Sequence, residues 1–334
     1  MNEKERTEPD DASGGRSDAS PPVPRLPAGR LTVRLLAFLG ILCVLLAVAI
    51  IPLGMLLRVG QRAPSAADAE GSESAESVEA TGAAEPAAFE MRIDDPAIGA
   101  IEVAAFAAVL LATALAKRRL PLSWTQVGFS RSGAVWELAL GFATGLASFA
   151  LVPIVAQKLG WATISLPTSG ASPLDSLFPA LLLLLFAGAF EEVAIRGFPL
   201  TLLAARSVPL AILLTSAVFA LLHLPNPSAG PMAALGVFVP GVVLAIARLR
   251  TGALWIPIGW HLGWNLSQGW LFGCAVSGTP PARAPLLVTR FDGPPLFVGG
   301  AFGPESGLLA VGADLVTLAV FVALVRGPGS RGAR

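Results

Sequence analysis

A pair of adjacent glutamates and the only two histidines of the chain lie inside long apolar segments of the sequence. Glu191 and Glu192 stand within one apolar run, and His223 and His261 lie within two later runs. Ionisable side chains at membrane depth are costly, so they usually face a protein interior or a wet cavity and carry function. A carboxylate and an imidazole that converge on one water molecule can act together as a general base. These residue types therefore indicate hydrolysis of an amide bond, with no Ser or Cys nucleophile required.

Helical spacing gives the two glutamates different surroundings. Glu192 and Arg196 are four residues apart, so in a helix they are neighbours that can form an ion pair. Glu191 is rotated by about 100° onto another face of the same helix. An ion pair that only stiffens the helix is the simplest interpretation of Glu192 and Arg196, because buried charges are usually paired. Glu191 has no partner in its own helix and is the freer candidate for chemistry.

Each histidine belongs to a short motif with helical spacing. Phe219 and His223 share one helix face, as do His261 and Asn265, because residues four apart lie above one another. A single histidine in a membrane is often only a hydrogen-bonded packing residue. Together with Glu191, however, the motifs suggest a common site in which His261 and Asn265 supply donors to a developing oxyanion.

The composition places these residues in a bilayer. Of 334 residues, 54% are hydrophobic and only 14% are charged, far from the usual composition of soluble domains. A helix needs about 20 residues to cross the hydrocarbon core, and eight apolar runs meet or approach that length. They are residues 35–57, 97–116, 135–155, 177–201, 208–224, 232–247, 253–272 and 307–325. The predicted fold class is all-α, a polytopic membrane helical bundle of about eight transmembrane helices.

The distribution of basic residues predicts the orientation. With the N-terminus inside, the five cytoplasmic segments hold most of the 23 Lys and Arg residues, as the bias of basic residues toward cytoplasmic loops requires. We therefore expect a multi-pass protein of the cell (inner) membrane with both termini cytoplasmic. The net charge of zero gives no indication of a nucleic-acid partner.

The predicted depths bring the motifs to one level. Glu191 and His223 are equally far along the chain from the turn at Ser207, so antiparallel helices would place them opposite each other. His261 and Asn265 follow Arg250 in the next predicted helix. At about 1.5 Å of helix rise per residue, they come within about 8 Å of the membrane depth of Glu191 and His223. We therefore expect Glu191 and His223 to meet across the hairpin, in a pocket shared with His261.

Composition also divides the chain into segments. Residues 1–30 are polar and predict a disordered cytoplasmic tail, and residues 31–58 predict an accessory transmembrane helix. Residues 59–96 form an acidic low-complexity loop. Residues 97–326 form the membrane bundle, whose motif-bearing core lies at about 135–272. The long loops at residues 161–175 and 274–306 are predicted to be irregular, and the second to cap the outer face.

The three motifs together resemble those of the CPBP family of intramembrane glutamic proteases, which includes the type II CAAX prenyl proteases and the bacterial Abi proteins. The family pattern is EExxxR, then FxxxH, then HxxxN or a similar last residue. The matching residues are Glu191, Glu192 and Arg196, then Phe219 and His223, then His261 and Asn265. One motif alone is a weak signal, but three in order that include every histidine are specific.

The resemblance implies roles for these residues. Glu191 and His223 would activate the hydrolytic water, and His261 and Asn265 would stabilise the oxyanion. The supporting residues would be Glu192, Arg196 and Phe219. The expected substrate is a peptide or membrane protein cut near the surface of the lipid bilayer, with no cofactor.

Other functions use the same residues. Two glutamates and two histidines could instead bind zinc, although the chain has no HExxH motif. A non-enzymatic membrane scaffold or bacteriocin-immunity protein would keep the pocket only for binding. A transporter would need broken helices or inverted repeats, and the sequence shows neither.

Overall fold

The computed structural model describes residues 22–60, 91–168 and 170–325, and most of these residues are helical. The α-helices are α1 (Ala28–Gly60), α2 (Pro96–Arg118), α3 (Ala134–Lys158), α4 (Pro173–Glu192), α5 (Phe198–Ala204), α6 (Val208–Leu222), α7 (Pro231–Thr251), α8 (Trp255–Leu266), α9 (Pro295–Val298) and α10 (Leu308–Leu324). A single turn of 3₁₀-helix, Pro304–Ser306, precedes α10.

Each of the eight predicted spans is found as a helix. Five are long and apolar enough to cross a membrane, namely α1, α2, α3, the continuous α4–α5 segment from Pro173 to Ala204, and α7. The other three, α6, α8 and α10, are apolar but shorter. The chain is therefore a multi-pass membrane protein with a helical-bundle fold, as its composition predicts.

Two short π-helical segments interrupt the predicted α-helices. Val193–Gly197 joins α4 to α5, and Ser267–Leu271 extends α8. Pro199 lies in the first turn of α5 and has no N–H for the carbonyl one turn earlier, so the regular hydrogen-bond pattern is interrupted at this junction. Such segments often occur at functional sites. Here the first segment directly follows Glu192 and contains Arg196, and the second begins two residues after Asn265.

Helix α8 is held against α3 by glycines on both helices, in the most extensive helix–helix interface of the described residues. A Cβ at any of four positions would come within 2.1 to 2.3 Å of a backbone oxygen of the other helix. These positions are Gly141 and Gly145 on α3 and Gly259 and Gly263 on α8. Small residues with this spacing allow membrane helices to approach closely. The interface fixes both the position and the rotation of α8.

The two long loops at one end of the bundle pair through a small sheet that the sequence did not predict. Strand β1 (Ala162–Ser165) runs antiparallel to β2 (Val288–Phe291), with Ala162 opposite Phe291 and Ser165 opposite Val288. The prediction that these loops are wholly irregular is therefore wrong. We call residues 273–306 the outer loop.

The N-terminal helix packs on the bundle. Helix α1 contacts α2 and α5, with the rings of Phe38 and Phe198 5.3 Å apart. Residues 1–21 of the predicted tail and 61–90 of the predicted acidic loop lie outside the described residues. Just after that gap, Asp94 forms an ion pair of 3.2 Å with Arg283, which ties the start of α2 to the outer loop.

Candidate active site

The two adjacent glutamates at the end of α4 approach the two ring nitrogens of one histidine. Glu192 Oε1 lies 3.2 Å from His261 Nδ1, and Glu191 Oε2 lies 3.6 Å from His261 Nε2. The Glu192 side chain is wholly buried, whereas that of Glu191 is 29% exposed. His261 therefore lies between two carboxylates that differ in their access to solvent.

Glu192 also pairs with Arg196 at 3.0 Å, and both side chains are fully buried. The structure thus brings these two residues together as their spacing predicts, across the junction between α4 and the π segment. The guanidinium carbon of Arg196 lies 4.1 Å from the centre of the Phe219 ring, a cation–π contact. Phe219 thereby joins α6 to the charged cluster.

The charges of this cluster balance when His261 is protonated. Glu191 and Glu192 bring two negative charges, and Arg196 brings one positive charge. Since a carboxylate only accepts hydrogen bonds, Nδ1 of His261 donates to Glu192. A second proton on Nε2, which faces Glu191, would give His261 a positive charge. The summed charge of the two glutamates, the arginine and the histidine would then be zero.

His223 lies at the C-terminal end of α6. Its Nδ1 is 2.8 Å from the backbone oxygen of Phe219, and because a carbonyl can only accept, Nδ1 carries the proton. The neutral ring therefore keeps a lone pair on Nε2. His223 and Phe219 also pack ring against ring, with their centroids 4.8 Å apart.

The expected contact between Glu191 and His223 is not formed in the described part of the chain, where no hydrogen bond or ion pair joins them. Glu191 reaches His261 instead. An unbroken α-helix was assumed in that prediction, but the π segment that follows Glu192 changes the rotation of the later residues. In addition, α6 ends at Leu222, one residue before His223.

A small cavity nevertheless connects the two histidine motifs. His223, His261 and Asn265 all line it, together with Trp260, Trp264 and Glu305. Its volume of about 40 Å³ is sufficient for one or a few water molecules. Glu191 is not among the lining residues, so it approaches this cavity through His261.

The cavity-facing side of α8 follows from its glycine interface. Gly259 and Gly263 face α3, while His261 and Asn265 lie on the side that lines the cavity. On α4, Gly188 provides the space for the histidine ring, since a Cβ there would be 3.2 Å from His261 Cγ. Backbone contacts on one side of α8 thus aim the catalytic candidates on the other.

Two further acidic residues lie near the site and were not singled out from the sequence. Glu305, in the 3₁₀ turn before α10, lines the cavity, although its loop was predicted only to cap the outer face. Glu102 belongs to α2. It is half-buried, and its carboxylate lies close enough to Glu191 for the two negative charges to repel each other. Its position inside an apolar run was the available signal.

Among the described residues, no group of three or more His, Cys, Asp and Glu side chains could hold a metal ion. Glu192 is engaged by Arg196, and Nδ1 of His261 donates to Glu192, so neither of these two groups is free to bind a metal.

Residues 173–267 match the family model described as type II CAAX prenyl endopeptidase, Rce1-like. The match begins with the first residue of α4 and ends just past α8, so it contains all three motifs. No curated protein and no solved structure matches the chain. The family match confirms the resemblance indicated by the motifs and supports a membrane protease of the CAAX type. In the segment that carries the candidate site, the chain is similar to the Rce1-like type II CAAX prenyl endopeptidases.

Proposed function

We propose that the chain is an intramembrane endopeptidase that hydrolyses a peptide bond with a water molecule activated by Glu191 and His223. The observation that carries this proposal is the cavity that His223, His261 and Asn265 share. Beside it, Glu191 faces one ring nitrogen of His261 and Glu192 faces the other. The family match supports the reaction class, since it is to a family of endopeptidases.

Water activation requires a base with a free lone pair. Nε2 of neutral His223 has one, because its Nδ1 proton is used by the Phe219 carbonyl. Glu191 is the carboxylate of the pair that is not bound to an arginine. In the proposed step the water oxygen bonds to the carbonyl carbon of the substrate. Its proton passes to Glu191, while His223 orients the water.

The oxyanion then forms beside α8. The electron pair of the carbonyl moves to its oxygen, which accepts hydrogen bonds from Nε2–H of His261 and the side-chain amide of Asn265. Once Glu191 has taken a proton, it no longer competes as an anion for Nε2–H. Collapse of the intermediate breaks the C–N bond, and the leaving amine takes the proton from Glu191.

Glu192 and Arg196 act in support of this chemistry. Glu192 fixes the ring orientation of His261, and Arg196 holds Glu192 in a fully buried pair. Phe219 packs against the guanidinium on one side and against both histidine rings. We assign them no direct contact with the substrate.

The substrate is proposed to be a peptide segment at the membrane surface, cut by a protein of the inner membrane whose termini are cytoplasmic. The name of the family suggests prenylated CAAX peptides as one substrate class. A farnesylated CAAX peptide and its unmodified counterpart are therefore the first substrates to compare.

The test uses the purified full chain in lipid nanodiscs with these two peptides and a membrane-peptide library. Glu191→Gln should lower kcat by about 10²-fold or more, as expected for loss of a general base. The control is Asp175→Asn, which removes an exposed carboxylate from the same helix and should leave kcat unchanged. Cleavage by Glu191→Gln at the wild-type rate would overturn the proposal and favour a scaffold or immunity function.

A further inference from the structure

Glu305 is a buried carboxylate of the cavity wall that the proposed reaction does not use. Its Oε1 accepts a hydrogen bond of 2.5 Å from the backbone N–H of Ser277, and its Oε2 accepts one from Nε2 of Gln268. The residue is only 6% exposed. Among the described residues, no cation forms an ion pair with it. Its partners Ser277 and Gln268 are therefore both uncharged donors.

One of these donors leads to the segment that carries His223. The carbonyl of Ser277 accepts a 3.0 Å hydrogen bond from the side chain of Asn226, whose own N–H donates to the carbonyl of His223 at 3.1 Å. Ser277 has φ of +49°, a left-handed conformation that a non-glycine residue rarely adopts without compensating contacts. Its two hydrogen bonds to Glu305 and Asn226 supply those contacts.

The other donor leads to the helix that carries His261 and Asn265. Gln268 accepts a 2.9 Å hydrogen bond from the indole N–H of Trp264, one turn earlier on the same face. Trp264 lines the cavity next to Asn265. The Gln268 side chain also donates to the backbone oxygen of Ala275, so it has no freedom to turn away.

Two glycines allow the backbone to pack closely around Glu305. Gly236 of α7 touches the backbone of the 3₁₀ turn, where a Cβ would meet the Glu305 carbonyl oxygen at 2.0 Å. At Gly303, with φ of +129°, a Cβ would meet the Glu305 carboxylate at 2.3 Å. The carboxylate is thus seated by close contacts as well as by hydrogen bonds.

We propose that Glu305 is a positioning residue. It holds the segment that carries His223 and the helix that carries His261 and Asn265 in a fixed relative position across the cavity. The inference rests on the proposed function, because it assigns no chemistry to Glu305 and acts only through residues of that site. A carboxylate is required because both donors need an acceptor at the same time. A neutral carboxyl group keeps one acceptor oxygen and presents an O–H to the other donor.

Because Glu305 must be ionised to accept both hydrogen bonds, the relative position of the two segments depends on pH. Burial raises the pKa of Glu305 from 4.5 to about 7, with the hydrogen bonds from Ser277 and Gln268 opposing that rise. Glu305 in turn acts electrostatically on Asp314 of α10 and on the thiol of Cys274, neither of which is positive. The titratable groups that line the same cavity are His223 and His261. Neither α9 nor the part of α7 next to Glu305 carries a charged residue. Protonation below about pH 7 therefore removes one of the two bonds.

The experiment compares pH profiles of kcat and KM for the full chain in nanodiscs. In the wild type, kcat should fall about tenfold as the pH is lowered through about 7, with little change in KM, because misplaced catalytic groups slow the chemical step. Glu305→Gln imitates the protonated form of the residue. Its kcat should therefore be low at every pH and should show no further decrease as the pH is lowered through about 7. Asp292→Asn, which removes an exposed carboxylate of the same outer loop, is the matched control and should show the same decrease as the wild type.

Hydrogen exchange gives a second readout that does not depend on activity. At one fixed pH above 7, Glu305→Gln should speed amide exchange at Asn226 and Ser277 relative to Asp292→Asn. An unchanged pH dependence of kcat together with unchanged exchange would overturn the positioning role while leaving the protease intact. If Glu191→Gln is as active as the wild type, the proposed function fails instead, and that result is visible whatever Glu305 does.

Discussion

Glu192 Oε1 lies 3.2 Å from Nδ1 of His261 and 3.0 Å from Nη1 of Arg196, inside a fully buried pair. The same oxygen thus neutralises an arginine and sets which nitrogen of the histidine carries a proton. Since Nδ1–H must point to Glu192, only Nε2 of His261 remains for the cavity and for Glu191. One buried carboxylate therefore supports both the fold and the geometry of the site.

The two adjacent glutamates should consequently respond differently to the same substitution. Glu192→Gln leaves Arg196 as an unpaired buried charge, and it should destabilise the protein by about 3–5 kcal/mol. Glu191→Gln should leave stability near that of the wild type, because this side chain is 29% exposed and is not bound to Arg196. Thermal unfolding in detergent, measured for both variants beside the wild type, checks the difference. Equal losses of stability would contradict the separate roles.

Glycines near His261 offer a second comparison. Gly188→Ala places a Cβ 3.2 Å from His261 Cγ, so the ring must shift by a few tenths of an ångström and kcat should fall while the fold persists. Gly145→Ala places a Cβ 2.1 Å from the Trp260 carbonyl oxygen, a backbone atom that cannot move aside, so it should destabilise by about 1–3 kcal/mol or more.

The control for both glycine variants is Gly40→Ala on α1, where a Cβ meets nothing within 4 Å. It should be neutral or slightly stabilising, because alanine favours helices by up to about 1 kcal/mol over glycine. Thermal unfolding and kcat are measured on all three. Full activity in Gly188→Ala would show that the ring position of His261 is not critical.

How far the sequence predicts this structure depends on whether the deciding contact is local. The eight helices follow from apolar runs, and the Glu192–Arg196 pair follows from spacing within one helix, since both depend on residues close in the chain. The partner of Glu191 depends on the rotation of two helices relative to each other. An intervening π segment altered that rotation, so His261 rather than His223 is in contact.

The remaining features could not be found because they join distant segments. Gly141 and Gly145 and the later pair Gly259 and Gly263 are visible in the sequence as small residues with helical spacing, but nothing in the sequence indicates that they face each other. Glu305 lies in a loop with no periodic pattern. Its approach to Gln268 depends on how the outer loop returns over the bundle.

Chelation distinguishes the carboxylate mechanism from a zinc site built on the same residues. We expect full activity after dialysis against a zinc chelator, because Glu192 and Nδ1 of His261 are already engaged by other side chains. Metal analysis of the dialysed protein shows whether zinc has been removed, and a known zinc protease treated in parallel is the control. Loss of activity that zinc restores would show that the mechanism is wrong.

The position of the cavity in the bundle predicts the side of the membrane from which substrate enters it. Ser277 and Glu305 of the outer loop line the cavity, and that loop belongs to the end of the bundle with few basic residues. Because basic residues favour the cytoplasmic side, this end should face outward. We therefore expect the substrate to enter from the non-cytoplasmic side.

Labelling with a membrane-impermeant maleimide in intact cells tests this orientation. The native Cys43 and Cys274 are first replaced by Ala, and single cysteines are then introduced at Asp292 in the outer loop or at Arg131 before α3, both exposed positions. The cysteine at position 292 should react in intact cells, and the one at 131 only after the cells are permeabilised. The reverse pattern would place the cavity on the cytoplasmic side and, because the helix connectivity is fixed, would also place the N-terminus outside.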